Sequence, residues 1–289
     1  MESTSAPRYA GACDCHIHVY EDGYPLAPGA TFRPAPAPVS AYREVQRALG
    51  LTHVVVVQPT GYGFDNRCML SALEQFGSAA RGVAMVPPDS ADDQLARLHN
   101  AGVRGMRYMM LAGGLSTWSG LEADAARIAP LGWNIDLQLD GRDLPRHEST
   151  LMRLPGKLVI DHTGKFLEPV QPDSEAFQSL CRVLDRGHCW VKLSAPYETS
   201  RAGAPGYDDV ALLARTLAAR YPERCLWGTN WPHPNAQPRP VDAVLLDWLT
   251  RCAGSESTTR KILVDNPREL YGFRSEVGAD EDACGINAR

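Results

Sequence analysis

The sequence predicts an α/β protein, a single-domain (β/α)8 barrel of the TIM type. Short runs rich in Val, Ile and Leu recur along the chain, and each is followed by a polar loop and an amphipathic stretch. Eight such pairs can be counted. Alternation of this kind indicates a parallel sheet covered by helices. The length of 289 residues fits such a barrel, which typically needs roughly 250 residues.

The eight pairs are assigned from apolar runs bounded by Gly, Pro or polar residues. The predicted strands are 12–19, 52–58, 82–87, 103–109, 134–140, 157–163, 189–194 and 224–230. The predicted helices are 39–49, 66–78, 90–101, 120–130, 143–153, 174–187, 208–221 and 240–253. An open, doubly wound sheet is the second interpretation. It is disfavoured because no Gly-x-Gly-x-x-Gly turn follows the first strand.

The barrel is expected to span residues 11–273. Residues 1–10 are predicted to be a disordered N-terminal arm and 274–289 a polar C-terminal tail. Residues 21–39 contain five Pro and two Gly, which predicts a long loop after the first strand. In a barrel this loop would lie on the catalytic face, where it could act as a lid.

Composition excludes several classes of partner. The net charge is −5 and the pI is about 5.9, so there is no basic surface suited to nucleic acid or anionic membranes. The longest apolar run, residues 54–57, is far shorter than the ~20 residues of a membrane-spanning helix. The N-terminus lacks the features of a secretory signal, so we expect a cytoplasmic protein. A homo-oligomer is compatible with the sequence.

Eight cysteines are scattered along the chain, mostly within apolar runs. In a chain without a secretory signal, such residues are expected to be buried, reduced thiols. Cys13 and Cys15 are close enough to suggest a metal site. Strand alternation, however, predicts that they face away from Asp14, His16 and His18. We therefore interpret them as structural.

Polar residues stand at the exits of nearly all the predicted strands, where a barrel places its active site. Packing alone does not explain so many polar groups at strand ends. The candidate catalytic residues are His16, His18, His162 and Asn230. The candidate substrate-binding residues are Gln58, Tyr62, Arg107, Tyr108, Lys165, Lys192, Tyr197 and His233.

His16 and His18 are two residues apart on one strand and should project to the same side. They could be hydrogen-bonded core residues, metal ligands, or donors and proton carriers in catalysis. A metal site would recruit His162 as a third ligand. Its natural fourth position holds Asn230, an amide that binds metals weakly. We therefore expect no cofactor, with His16, His18 and His162 as the ligands of any adventitious zinc.

The cations near the strand ends suit a small ligand with one or two carboxylates. Arg107, at the end of the fourth strand, can clamp a carboxylate through its planar fork. Lys165 and Lys192, after the sixth strand and on the seventh, could contribute in the same way. A surface ion pair is the alternative interpretation of each cation.

The motifs resemble, in order, those of the amidohydrolase superfamily. They include Asp14-Cys15-His16-Ile17-His18-Val19, Ile160-Asp161-His162-Thr163-Gly164-Lys165 and residues 227–235, together with 55–59, 105–108 and 191–194. The similarity is to the metal-independent branch of lactonases and lactone isomerases. It implies a (β/α)8 barrel, carboxylate-bearing lactone substrates and activity without a divalent metal.

The resemblance has two departures. Lactonases of this branch carry an Asp where this chain has Asn230, and an Arg shortly after strand seven, where this chain reads Ala195-Pro196-Tyr197-Glu198. Asn cannot accept a proton at neutral pH. We therefore expect isomerisation of an aldaric or similar sugar-acid lactone by intramolecular acyl transfer. A hydrolase that opens a lactone such as an aromatic-degradation intermediate, and a non-catalytic metabolite-binding barrel, are the alternatives.

Overall fold

A computed structural model of the chain describes residues 9–30 and 32–274. Within them, eight parallel strands neighbour one another in chain order from β1 to β8. The strands are β1 Cys13–Ile17, β2 His53–Val57, β3 Ala80–Ala84, β4 Val103–Met109, β5 Asn134–Gln138, β6 Lys157–Ile160, β7 Cys189–Ser194 and β8 Cys225–Gly228. This order confirms the prediction of a (β/α)8 barrel and excludes the alternative of an open, doubly wound sheet.

Each strand is followed by a helix that packs on the outside of the sheet. The helices are α1 Val39–Leu49, α2 Arg67–Phe76, α3 Asp92–Asn100, α4 Leu121–Ile128, α5 Leu144–Arg153, α6 Glu175–Asp185, α7 Asp208–Arg220 and α8 Asp242–Ala253. The chain then forms α9 Glu256–Arg260, a π-helical turn Lys261–Asp265 and α10 Asn266–Tyr271. Backbone carbonyls of Leu270 and Tyr271 accept bonds from Lys157 and Arg81, so this last segment packs against the strand starts.

Two backbone hydrogen bonds bring the first and last strands together. The amide of Asn230 donates to the carbonyl of His16 at 2.9 Å, and that of His18 donates to Trp231 at 2.7 Å. The carboxylate of Asp14 reinforces this seam by accepting from the backbone and hydroxyl of Thr229, at 3.0 and 2.6 Å. The seam therefore fixes His16 and Asn230 relative to each other.

A β-bulge in β1 overturns the prediction that Asp14 and His16 project to the same side of the strand. The β1–β2 register shifts between Asp14 and Ile17, so strict alternation fails there. Asp14 faces helix α1, where it accepts a bond from Tyr42 at 3.0 Å. Cys13 and Cys15 instead lie in a buried cluster with residues of β2, β3, β6 and β8. The extra residue of the bulge separates Asp14 from the side that carries His16.

The remaining predictions about the chain divide by location. Seven cysteines are free and buried, as predicted, whereas Cys284 lies outside the described residues. Most of the N-terminal arm (residues 1–8) and of the C-terminal tail (275–289) also lie outside them. The loop after β1 is tied at its base by the pairing of Tyr20 with Ala37. In the described part of the chain, no helix combines the length and apolarity required to traverse a bilayer.

Candidate active site

A cavity of about 690 Å³ opens at the carboxyl ends of the strands. Five of the predicted site residues line it, namely Arg107, His162, Lys165, Tyr197 and Asn230. Tyr20 and Phe32, from the beginning and the middle of the long first loop, also line it, so this loop covers part of the mouth. Among the lining residues, which all belong to the described chain, the formally charged side chains are Arg107, Lys165 and Glu198.

A buried charge cluster centred on Lys192 joins three strands of the barrel. The ammonium lies 2.5 Å from Asp136 of β5, 3.0 Å from Asp161 and 3.2 Å from Nδ1 of His16. Burial opposes the charge on Lys192, but the two carboxylates raise its pKa overall. Burial likewise opposes the charge on Asp161, yet the ammonium of Lys192 holds its pKa well below the usual range. Lys192 is therefore an internal counter-ion, fully enclosed by protein.

The contacts of His16 and His18 give the two rings opposite roles. Nδ1 of His16 lies 3.2 Å from the ammonium of Lys192 and 3.3 Å from Oδ1 of Asp161, which makes no hydrogen bond within the described part of the chain. Because Lys192 can only donate, Nδ1 acts as the acceptor and the neutral ring carries its proton on Nε2. This Nε2 is buried and has no partner in the described structure. His18 donates from Nδ1 to the carbonyl of Val57 at 2.8 Å, which leaves its Nε2 as an acceptor. His16 is thus a donor, whereas His18 is not.

All three histidines of the site are neutral near pH 7. Burial lowers the pKa of His16 to about 4; Asp161 opposes this shift and Lys192 adds to it. Burial also holds the pKa of His18 and His162 well below the ordinary value. The rings lie in contact, since the centroid of His16 is 4.9 Å from that of His18 and 4.8 Å from that of His162.

His162 reaches the cavity because strand β6 ends earlier than predicted. Residues 161–163 were expected to continue the strand, but His162, Thr163 and Lys165 adopt positive φ angles of 51°, 57° and 45°. This left-handed turn is an uncommon backbone for residues other than glycine. It directs Nδ1 of His162 to the hydroxyl of Ser194, 2.9 Å away.

Asn230 is held in one orientation by two acceptors. Its Nδ2 donates to the hydroxyl oxygen of Tyr197 and to Oε1 of Glu198, each at 2.9 Å. Tyr197 donates in turn to Nδ1 of His233 at 3.0 Å, because Nε2 of His233 donates to Asp242 at 2.9 Å. With both amide hydrogens used, Oδ1 is the remaining polar atom of Asn230. It can accept a hydrogen bond but cannot take a proton at neutral pH.

Comparisons with known proteins agree with this geometry. The amidohydrolase family model matches residues 13–273. The chain belongs to the amidohydrolase family. It is 36% identical to the 2-pyrone-4,6-dicarboxylate hydrolase of Comamonas testosteroni, over 91% of this chain and 90% of that protein. It is 34% identical to the D-galactarolactone isomerase of Agrobacterium fabrum, over 93% and 94% of the two chains. A crystal structure from Agrobacterium tumefaciens superposes with a TM-score of 0.87 at 34% identity, covering 91% of this chain and 96% of that one.

In this amidohydrolase, three other predicted site residues lie near the cavity without lining it. His16, His18 and Lys192 form its buried surroundings. Gln58 and His233 do not line the cavity either, but they form hydrogen bonds with Arg107 and Tyr197, which do. The carbonyl of Gln58 accepts from Arg107 at 2.6 Å, and its side chain donates to the carbonyls of Gly63 and Asp65.

Tyr62 and Tyr108 are not brought into the cavity of this amidohydrolase. The Tyr62 hydroxyl bonds to the backbone of Glu21 and lines a separate pocket under the first loop. Tyr108 follows the lumen-facing Arg107 on a regular strand, so it points outward, where it donates to Asp124 of α4 at 2.5 Å. Both residues support the framework of the barrel and not the site itself.

Three acidic residues of the amidohydrolase site received no role in the sequence analysis. Asp136 interrupts an apolar strand, a pattern that could have marked it as lumen-facing. Asp161 was visible beside His162. Glu198 follows strand seven, and its carboxylate pairs with Lys165 and accepts from Asn230. Burial lowers the pKa of Lys165 to about 8, although the negative charge of Asp161 opposes the shift.

His16, Asp161 and His162 offer potential metal-ligand atoms within 4.8 Å of one another. Compared with the predicted ligands His16, His18 and His162, this set contains the carboxylate of Asp161 in place of His18. A divalent ion suits these ligand types, but the ammonium of Lys192 already lies 3.0 Å from Asp161 and 3.2 Å from His16. A second cation there would repel Lys192 at close range. The donor set of this amidohydrolase therefore fits a divalent metal poorly.

Proposed function

We propose that the protein is a lactone isomerase that acts on a carboxylate-bearing sugar-acid lactone, such as an aldaric lactone. The reaction would be intramolecular acyl transfer, in which a hydroxyl of the substrate attacks the ester carbonyl and the ring oxygen leaves. Two relatives over nine-tenths of the chain are named for a lactone and a 2-pyrone, and both rings are cyclic esters. We further propose that the protein works in the cytoplasm.

The observation that carries the proposal is the fixed amide of Asn230. Hydrolysis needs a group that removes a proton from water, and Asn230 cannot do so. A substrate hydroxyl is already positioned, and effective molarity contributes up to about 7–11 kcal/mol. Water lacks this advantage. The loss of a base therefore penalises hydrolysis more than isomerisation.

The buried histidines would stabilise the charge that develops on the carbonyl oxygen. His16 presents a neutral, unpartnered Nε2–H beside His162, and preorganised donors of this kind lower the barrier to a tetrahedral oxyanion. Isomerisation also requires a proton to leave the attacking hydroxyl and return to the leaving oxygen. His162, which is neutral and lines the cavity, could accept and return this proton.

We propose that no divalent metal takes part. Lys192 supplies the positive charge that balances Asp136 and Asp161. Purified protein should then contain substoichiometric metal by elemental analysis, and exhaustive chelation should leave turnover unchanged. A stoichiometric metal whose removal abolishes activity would contradict this part of the proposal.

A lactone hydrolase is the second candidate, favoured by one observation. Glu198 places a carboxylate in the cavity beside Asn230, and a carboxylate can act as a general base. Its two oxygens are, however, occupied by Asn230 and Lys165, so neither is free to accept a hydrogen bond from an attacking water.

One experiment separates the candidates. Wild-type protein is incubated with aldaric lactones and with aromatic-degradation lactones, and the reaction is followed by NMR together with a pH indicator. Isomerisation gives a new lactone at constant pH, whereas hydrolysis gives an open acid and releases a proton. Turnover to open acid alone would refute the isomerase. Tight binding without any turnover would favour a non-catalytic binding protein.

A further inference from the structure

The charged side chains of the cavity differ in whether a protein partner already neutralises them or a ligand can still pair with them. Lys165 is paired with Glu198. Arg107 donates to the carbonyl of Gln58 at 2.6 Å and lies 3.4 Å from Oε1 of Gln138, both neutral acceptors. Among residues 9–30 and 32–274, no carboxylate lies within ion-pair distance of Arg107, and its Nε is buried without a partner. Arg107 is thus the lining cation that is not already neutralised.

The lining charges sum to +1, from Arg107 and Lys165 against Glu198. Lys192 adds no accessible charge, because it is enclosed by Asp136 and Asp161. Arg107 lies on β4 and Glu198 follows β7, three strands apart around the barrel. The cavity therefore presents a positive group on one side and an anchored carboxylate on another.

We propose that Glu198 is a specificity-determining residue that restricts the ligand to a single carboxylate. Arg107 would bind that carboxylate, and Glu198 would accept a hydrogen bond from a hydroxyl of the same ligand. A second carboxylate near Glu198 would meet a like charge in a partly dehydrated cavity, where repulsion is strong. This inference rests on the proposed function and narrows it to hydroxylated lactones with one carboxylate.

The position of Glu198 supports this role over that of a surface acid. Its side chain is 21% exposed and is fixed at both oxygens, by Nδ2 of Asn230 and Nζ of Lys165. Replacing it with a neutral amide would remove the negative charge and at the same time release the Lys165 ammonium. The variant should therefore gain a second binding group for a carboxylate.

Binding of two unreactive ring acids tests the inference. Furan-2-carboxylate carries one negative charge and furan-2,5-dicarboxylate carries two, and their dissociation constants can be measured by calorimetry at pH 7. We expect wild type to bind the monoanion at least about tenfold more tightly than the dianion. Glu198→Gln should raise the affinity for the dianion by about tenfold or more and change that for the monoanion by less than about threefold.

Three further variants separate charge from space and from misfolding. Glu198→Asp keeps the charge and should keep the preference of wild type. Glu198→Gln combined with Lys165→Met restores a net charge of +1 without the released ammonium, and should gain less affinity for the dianion than Glu198→Gln alone. Glu168→Gln removes an acid that pairs with Arg201 outside the cavity lining, and should leave the preference unchanged.

The inference is overturned if wild type binds the dianion as tightly as the monoanion, or if Glu198→Gln strengthens both ligands equally. Loss of the preference in Glu198→Asp, which keeps the charge, would also overturn it. Because neither ligand is turned over, these results are independent of the reaction type. If the expected binding preference is absent but the protein isomerises a lactone, only the inference about charge selection fails. If the preference is found but no lactone is turned over, only the proposed function fails.

Discussion

At the scale of single residues, Lys192 shows how the barrel holds charge in its interior. The ammonium is fully buried, and its three donors face Asp136, Asp161 and Nδ1 of His16. A buried ion is tolerated only when its partners compensate for the lost hydration. Removal of Lys192 alone would leave two carboxylates without a counter-ion. The same change would also remove the donor that places the proton of His16 on Nε2.

We predict that Lys192→Met lowers the free energy of unfolding by about 3–5 kcal/mol, the usual cost of breaking a buried pair. Adding Asp136→Asn should recover part of this loss, because one uncompensated charge disappears. Urea unfolding measures both. As a control, Lys261→Met removes an exposed ammonium paired with Glu223 and should cost less than about 1 kcal/mol. Equal losses for both lysine variants would contradict the role assigned to Lys192.

Asn230 is the residue that we expect to control the reaction type. Asn230→Asp would create a carboxylate beside Glu198, whose Oε1 lies 2.9 Å from Nδ2 of the native amide. Two carboxylates so close cannot both ionise easily, so one would gain a raised pKa and become a better base. We predict that the ratio of hydrolysis to isomerisation, measured by NMR, rises at least about tenfold. Asn235→Asp makes the same change at an exposed lining position and should leave the ratio unchanged.

At the scale of elements, the seam between β1 and β8 positions the chemistry. Asp14 accepts hydrogen bonds from Thr229, Tyr42 and the backbone of His16, and so links the last strand, helix α1 and the first strand. Burial raises the pKa of Asp14 to about 6, although these donors oppose the shift. Because the folded pKa exceeds the ordinary value of 3.8, protonated Asp14 is favoured in the folded state.

The sign of this shift gives a pH prediction. The stability that Asp14 contributes is fully present below about pH 4 and is lost as the pH rises through about 6. Asp14→Asn cannot ionise, so the unfolding free energy of the variant should rise relative to wild type between pH 4 and 6, by up to about 3 kcal/mol. The difference should be flat above pH 7. A difference that does not vary with pH would contradict the assignment.

The sequence was sufficient to predict the strands and helices, but not the local irregularities of the backbone. Apolar runs bounded by Gly, Pro or polar residues predict the strands to within a few residues, and within each strand the side chains are expected to alternate between the two faces of the sheet. The bulge at residues 14–17 and the left-handed turn at 162–165 break that alternation. The bulge contains no Gly or Pro from which it could be predicted, and the turn contains only Gly164. The facing of Asp14 and the exposure of His162 to the cavity were therefore accessible only from the structure.

At the scale of the whole molecule, closure of the barrel determines which distant residues meet. The strand order confirms the predicted fold, and nearness of the strand ends follows from it. The histidines and Asn230 could thus be assigned to one region in advance. The pairing of the charged side chains could not be predicted in advance, because it depends on which groups the folded structure brings together. Lys165 pairs with Glu198 and Lys192 with Asp136 and Asp161, whereas Arg107 stays available.

If the proposed function is correct, the barrel also explains how a site without a catalytic acid or base on strand eight would promote acyl transfer. Its interior supplies neutral imidazoles fixed by the buried cluster, and its rim supplies Arg107 to hold the ligand. In the proposed reaction these groups would orient the substrate and stabilise charge, and neither task requires activated water. The fold therefore favours a reaction whose nucleophile arrives with the substrate.

The most direct test is oxygen exchange during turnover in water enriched in ¹⁸O. A lactone that the protein converts is incubated with wild type, and the products are analysed by mass spectrometry after correction for the uncatalysed reaction. Attack by a substrate hydroxyl predicts a product lactone that contains no ¹⁸O. Incorporation of one ¹⁸O atom per turnover would show that water is the nucleophile, and would contradict the account.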